Sequence, residues 1–423
     1  PSGPSPSFSA EWISDMADRI NVLWVSKTAP YDNVPHAGGK VHNYYLKALH
    51  ADPRFDVRLV TFADSLFYRE ANDDLSGYGI EHEIIEHKTE GLAHALWAGL
   101  NMETRLNPWN RYGGLTYNFE AFKALSAIRA IAGSGYAPDI VILQWTQMGL
   151  LVDKVRAIFP GARFVLIEED VAYQGAERAA DISGSSFLRG RAATLKKAEL
   201  AALGDADLVI LNNRKDLALV RGEGVKTDFW VWCPYYQSLL GSERAYDGRR
   251  EIVFYGAMRR RENWSAALWF LDEVFPSLEG DGYRFTVVGA NPPEQLTSRV
   301  REGVTFTGFV DSVEPYFARA LCLVAPLSMG AGIKVKVLEA MSAGLPVLTN
   351  DIGIEGIPAE NGVSYLHCEA PSDYSSSITA LANNPGLRDR VSCAARGLMR
   401  GSFSFEADAK AFPNRVFALA VGI

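Results

Sequence analysis

Short, continuous apolar runs recur along the chain, separated by segments whose apolar positions follow a helical period. The first run covers 20–25, and a helical pattern follows at about 40–49. Further runs lie at 57–62, 140–143, 163–167, 208–211 and 228–232. Runs without polar alternation fit strands buried on both faces. Strands that alternate with helices build parallel sheets covered on both sides. The polar stretch 242–250 carries no period and suits a linker. The pattern then restarts. Strands are predicted at 252–255, 284–288, 304–307, 321–325 and 346–348, with helices at 264–275 and 334–343. Two α/β units of similar size are therefore expected. A last helix at about 405–419 contains Pro413. Proline lacks the N–H that a helix interior uses, so a kink or break is expected there.

Composition narrows the class. A length of 423 residues suggests two or three domains, and 48% hydrophobic with 22% charged residues describes a soluble globular chain. The formal charge of -8 argues against a nucleic-acid partner, which needs net or clustered positive charge. The cysteines are Cys233, Cys322, Cys368 and Cys393, none in a CxxC spacing. Neither a zinc site nor a disulfide framework is expected, and a reducing cytoplasm fits. No apolar stretch of about 18 residues exists to span a bilayer. Residues 1–19 are rich in Pro and Ser and read as a flexible leader, without the apolar core of a signal peptide. One segment, 92–117, is unusually aromatic. Leu92, Leu96, Trp97 and Leu100 share a helical face there. That face either packs into the core or meets an apolar acceptor or a membrane surface. The basic run Arg189, Arg191, Lys196 and Lys197 is either a solvated helix face or a patch attracted to anionic lipid.

Two places carry candidate chemistry. Gly38-Gly39 lies between the first strand and the first helix, where bare backbone N–H groups approach a ligand and the helix N-terminus favours an anion. Plain turns also use such pairs. The stronger signal is 326–351, in which a strand end, the loop glycines Gly330 and Gly332, a helix with Lys334, Lys336 and Glu339, and the stop Gly344-Leu345-Pro346 follow one another. On a 3.6 period Gly332, Lys336 and Glu339 share a stripe, while Lys334 points elsewhere. Lysine and free N–H groups at a helix start suit a diphosphate. A carboxylate further in accepts two hydrogen bonds from a vicinal diol such as ribose. A nucleoside diphosphate offers both.

The stretch GAGIKVKVLEAMSAGLPVLTNDIGIEG, 330–356, resembles the donor-binding signature of the family 4 glycosyltransferases (glycosyl transferases group 1), which have the GT-B fold, are retaining and use nucleotide sugars. Weaker likenesses occur in order: the loop from Pro30 through Gly38-Gly39, Phe254-Tyr255-Gly256-Ala257-Met258 with Asn263, Val288-Gly289, and Phe306-Thr307-Gly308-Phe309-Val310. The resemblance implies two doubly wound Rossmann-like domains facing across a cleft. The first, 20–240, would bind the acceptor and the second, 250–400, the donor, with 401–423 crossing back to the first. Glu339 matches the second acid of the family's E-x7-E motif and would bind ribose, with Lys336 at the diphosphate. The first acid falls on Ala331, a departure from the pattern. Gly330, Ala331, Gly332, Ile333 and Lys334 would hold the sugar and phosphates, Gly38 and Gly39 would approach the donor, and Val310 would face the base. An arginine of Arg259-Arg260-Arg261, with Arg259 and Arg261 as the named candidates, would neutralise the leaving diphosphate. The family's histidine after the strand ending at Leu143 is replaced by Gln144-Trp145-Thr146, and its His-Asp pair by Glu168-Glu169-Asp170. Asp170 and Glu169 are candidates on the acceptor side, against a reading as solvated loop charges. His36 and His42 lie near the donor loop and read more readily as surface residues.

A metal-independent retaining transfer from a nucleotide sugar, UDP before GDP, to a hydroxyl of a glycan, a lipid-linked acceptor or a protein is the expected activity, in glycan or polysaccharide synthesis. No cofactor is expected besides the donor. The site would be cytoplasmic, with peripheral contact at the inner membrane face. The alternatives are a non-catalytic partner subunit of the same fold, suggested by Ala331, and a sugar-nucleotide epimerase.

Overall fold

Each apolar run becomes a strand in the computed structural model, which describes residues 19–34, 36–88, 91–107, 109–232, 236–330 and 332–423. Cys233 and Ala331 lie outside the described residues. The strands are β1 (Ile20–Ser26), β2 (Phe55–Asp64), β3 (Glu81–His87), β4 (Ile140–Gln144), β5 (Arg163–Glu168), β6 (Leu208–Leu211) and β7 (Asp228–Val231) in the first domain. The second holds β8 (Glu251–Tyr255), β9 (Arg284–Val288), β10 (Val304–Phe306), β11 (Cys322–Ala325), β12 (Val347–Thr349) and β13 (Leu366–His367). Two of these, β3 and β13, were not predicted. Both sit at sheet edges, where one side of the strand needs no apolar cover, so β3 carries the charged sequence EHEIIEH.

The sheets are parallel throughout, in the orders β3-β2-β1-β4-β5-β6-β7 and β10-β9-β8-β11-β12-β13. Alternate residues feed two cores. Val22 and Trp24 join Ile142, Val165 and Ile210 on one face of the first sheet, and Leu23 and Val25 join Val141, Leu143 and Leu166 on the other. Each such side chain, fully buried, contributes roughly 1.5–3 kcal/mol, which is why the strands read as unbroken apolar runs. In each sheet the order reverses beside the first strand, between β1 and β4 and between β8 and β11. A crevice opens at the carboxyl ends of the strands at such a switch point.

Element boundaries differ in places from the periodic reading. The helix expected over 264–275 is α-helical over Arg261–Trp269, then passes through a π turn at Phe270–Val274. The last helix runs from Phe405 to Val421 through Pro413 without a break. It packs on the first domain: Phe412 and Val416 join the core of Trp24, Tyr45 and Trp232, with the Trp232 and Phe412 rings 5.0 Å apart. The chain therefore crosses between domains twice. The crossings are clasped, because the Tyr236 hydroxyl donates to the Phe403 carbonyl at 3.2 Å.

In the aromatic segment, Trp97 alone of the four facing residues is buried, against His87 and Phe119 at 4.5 and 4.8 Å. Leu92, Leu96 and Leu100 are 78%, 60% and 55% exposed, so core packing accounts for one residue of that face and not the others. Among the described residues no helix is long and apolar enough to cross a membrane.

Phe412 is fully enclosed between Trp24, Tyr45 and Trp232. Phe412→Ala should destabilise the first domain by about 3 kcal/mol, read as a lower urea midpoint of that domain. An unchanged midpoint would show that the returning helix adds nothing to the fold.

Candidate active site in the interdomain cleft

The two crevices face each other and enclose one cavity of about 520 Å³. Its first-domain wall comes from the loop after β1, the turn after β4, the strand end at β5 and the loop after β6. Its second-domain wall comes from the loop after β8 and the glycine loop and helix after β11.

On the second-domain wall the helix Val335–Ser342 presents Lys336 and Glu339 to the cavity, as their one-turn spacing predicts. Lys334 lines it too. It precedes the first helical residue, so the helical phase does not govern where it points. The Lys336 ammonium donates to Asn263 Oδ1 and lies 5.0 Å from the centre of the Phe254 ring. Asn263 is itself fixed by donating to the Ala257 carbonyl at 2.9 Å. Gly256 makes room for this pair, since a Cβ there would stand 2.9 Å from Asn263 and 3.1 Å from Lys336. Burial, then Arg260, pushes Lys336 down to about 7. Burial likewise pushes Glu339 up to about 7, although Lys40, the Gln237 N–H, Lys336 and the Tyr255 hydroxyl all favour its ionised form. Both groups are thus poised to change charge near neutrality. Lys334 is lowered to about 8 by burial, against the pull of Glu355 and Asp170.

Of the three successive arginines, Arg259 and Arg260 line the cavity. Arg261, the first residue of the helix Arg261–Trp269, does not, although all three are exposed. The charge beside Lys336 is therefore Arg260, not Arg261. Val310 is also absent from the cavity wall and packs at the edge of the second domain's core. Gly330, Gly332 and Ile333 line the cavity. Gly332, at φ 69°, lies against the opposite domain, where a Cβ would stand 2.8 Å from the Asp170 Cβ.

On the first-domain wall, Gly38 faces Glu169 so closely that a Cβ would strike its carboxylate. Gly39 lies behind it, and its N–H donates to His36 Nδ1 at 2.9 Å. His36 is thus the N-cap of the helix Ala37–His50 and lines the cavity, rather than being a surface residue. Burial, with Arg259 and Arg260, lowers it to about 4, so the ring stays neutral and able to accept that bond. His42 is wholly buried, lies against Trp145 at 5.4 Å, and is lowered to about 3 by burial.

The three acids at the end of β5 divide by environment. Glu168 is buried, accepts from the Thr146 hydroxyl and is raised well above the carboxylate range by burial and by Glu199. Glu169 accepts from Gln144 Nε2 at 3.1 Å, and burial raises it to about 7. Asp170 opens to the cleft and is raised by burial and by Asp216. Glu199 accepts the N–H groups of Ala172 and Tyr173, both at 2.8 Å, and so caps the helix that follows these acids.

Several lining residues carried no role in the sequence reading. Trp145 holds a left-handed backbone at φ 66°, a strained state for a non-glycine residue and one that marks functional turns. Its place directly after a buried strand was the available signal. Lys40 lies in the first turn of the helix Ala37–His50, next to Gly39, while Gln237 and Asn212 come from loops whose meeting depends on topology and which no local pattern marks.

Residues 249–384 match the sequence profile of the family described as glycosyl transferases group 1. No curated protein sequence matches the chain. Among solved structures, the chain is similar to sucrose-phosphate synthase from Thermosynechococcus elongatus, with TM-score 0.70, 16% identity, and coverage of 96% of this chain and 100% of the other. It is also similar to HepE from Anabaena in complex with UDP, with TM-score 0.65, 12% identity, and coverage of 94% and 100%. A further structure, HepE in complex with UDP-glucose, gives TM-score 0.65 at 12% identity, covering 95% and 100%. The two parallel-sheet domains and the cleft between them are the GT-B fold, and its second domain carries the group 1 glycosyltransferase profile.

Proposed function

We propose that the chain is a retaining, metal-independent glycosyltransferase that moves a sugar from a nucleoside-diphosphate sugar to a hydroxyl acceptor. The observation that carries this reading is the cavity wall on which Lys336, Glu339, Arg259 and Arg260 converge opposite Glu169 and Asp170. A cationic patch and a diol-binding carboxylate on one wall match the two halves of a nucleoside diphosphate. The group 1 profile over 249–384 covers that wall and supports the same reading. UDP is preferred to GDP, in keeping with the UDP and UDP-glucose bound by HepE.

Glu339 accepts from the ribose hydroxyls. Lys336, held by Asn263, and the arginines Arg259 and Arg260 take the diphosphate and stabilise the charge that develops as it leaves. The backbone of Gly330, Gly332 and Ile333 borders the sugar, and Gly38 and Gly39 border it from the other domain. Asp170 and Glu169 accept hydrogen bonds from acceptor hydroxyls. The anomeric C–O bond to phosphate breaks as the acceptor oxygen adds on the same face, and the acceptor proton passes to the departing phosphate oxygen. Cations of the protein carry the leaving-group charge, so no divalent metal is required. The product belongs to glycan or polysaccharide synthesis.

Lys336→Ala or Glu339→Ala should each weaken UDP binding about tenfold to hundredfold, the effect of removing a hydrogen bond to a charged group, measured by calorimetry. Unchanged affinity in both variants would remove the site assignment.

The two groups impose opposite pH limbs. Glu339, raised to about 7, becomes the better ribose acceptor as pH rises through 7. Lys336, lowered to about 7, loses its charge over the same range. UDP affinity should therefore peak near pH 7. The acid limb should vanish in Glu339→Gln and the alkaline limb in Lys336→Met. Persistence of both limbs in both variants contradicts the assignment.

Transfer should proceed at an undiminished rate in excess EDTA, and NMR of the product should show the anomeric configuration of the donor. Loss of activity in EDTA, or inversion, would refute the mechanism.

A further inference from the structure

Beside the cavity, the domains meet at a second charged site. Arg178 lies on the helix that begins at Ala172, two residues after Asp170. Its guanidinium reaches across to Glu355, which follows β12. The two nitrogens donate to the two carboxylate oxygens at 2.5 and 3.0 Å. One of them also donates to the carbonyl of Gly330, in the glycine loop, at 2.6 Å. Lys215, from the first domain, pairs with Glu355 at 3.0 Å, and Lys334 approaches it at 3.7 Å. The Glu355 side chain is only 8% exposed. A two-pronged guanidinium–carboxylate pair fixes the relative geometry of its partners in a way that a single exposed ion pair does not.

Shape supports the same contact independently. Gly356, at φ 79°, leaves no room for a Cβ beside Asn213, whose Cγ would be 2.9 Å away. Gly332 does the same beside Asp170. Two left-handed glycines of the second domain thus lie flush with the first on either side of the ion pair.

We propose that Arg178 and Glu355 form a positioning pair that holds the glycine loop against Asp170 and so sets the donor's sugar at the acceptor carboxylates. This rests on the glycosyltransferase reading. The pair touches no ligand. It acts by fixing the loop through the Gly330 carbonyl and by keeping the two domains closed. Nucleotide binding, which falls to Lys336 and Glu339 in the second domain, should not depend on it.

Arg178→Ala, Glu355→Gln and the double variant test this in the full-length chain. Small-angle scattering should show a larger radius of gyration in each variant than in the wild type. Calorimetry should give a UDP dissociation constant within about twofold of the wild-type value, because uniform binding is untouched. With UDP-glucose as the probe, kcat for its turnover should fall about tenfold to hundredfold at nearly constant KM, the cost of a misplaced reacting group. The double variant should be no worse than the poorer single one, as expected for partners in one interaction. Arg178→Lys keeps the charge but loses the fork, and should fall between wild type and alanine. Wild-type scattering in both single variants, additive losses, or UDP affinity that falls in step with kcat would each overturn the proposal. A wild-type chain that binds neither UDP nor GDP would instead sink the glycosyltransferase reading, while the scattering comparison still judges the clamp.

Discussion

Removing charge from water inside a narrow cleft is the constraint that organises this protein. Lys336, Glu339, Lys334, Glu169 and Asp170 all line one cavity, and burial is the largest influence on each of them. Such groups persist only where fixed partners replace the lost water. The partners are specific: Asn263 and the Phe254 ring at Lys336, the Gln237 N–H and the Tyr255 hydroxyl at Glu339, and Gln144 at Glu169. They come from the end of β4, from β8 and the connection that follows it, and from the segment between the domains. The fold brings them together because both sheets are parallel and both reverse their order beside the first strand, so all these connections open on one crevice.

That dependence explains what the sequence disclosed and what it withheld. Strands buried on both faces leave unbroken apolar runs, so all but two of the strands were legible. The exceptions, β3 and β13, are edge strands that need cover on fewer sides. Lys336 and Glu339 were legible because they lie one turn apart in the helix Val335–Ser342, where local geometry fixes direction, whereas Gly332 precedes that helix and reaches the cavity from the loop. Lys334 sits one residue outside that helix, so the helical period misjudged it. The three successive arginines show the limit most plainly. All three are exposed, yet only Arg259 and Arg260, which precede the helix Arg261–Trp269, border the cavity, and helix starts are the least local part of a periodic pattern. Val310 carried a role by resemblance alone, and its side chain packs into the core edge.

The acid run Glu168-Glu169-Asp170 shows how one strand end serves two ends. Side chains alternate across a strand, so successive residues meet different surroundings. Glu168 turns to the interior and to Thr146, while Glu169 and Asp170 reach the cleft. The helix that follows needs an acceptor for its first N–H groups, and Glu199 supplies it from a neighbouring helix. Four carboxyl groups in one region would repel one another if all were ionised. Burial makes Glu168 and Glu199 weaker acids, and the protons they retain relieve that repulsion. Trp145, whose backbone has φ 66°, hydrogen-bonds the Glu169 carboxylate and favours its ionised form.

The clasp between Tyr236 and Phe403 has a mechanical consequence. The polypeptide passes between the lobes at two points, and these points are bonded to each other. A single tether would permit twisting and sliding in any direction. Two tethers pinned side by side leave rotation about the line through them as the movement that breaks the fewest contacts. Any parting of the lobes would turn about that line, as the covers of a book turn about the spine, and would preserve the register of their facing edges.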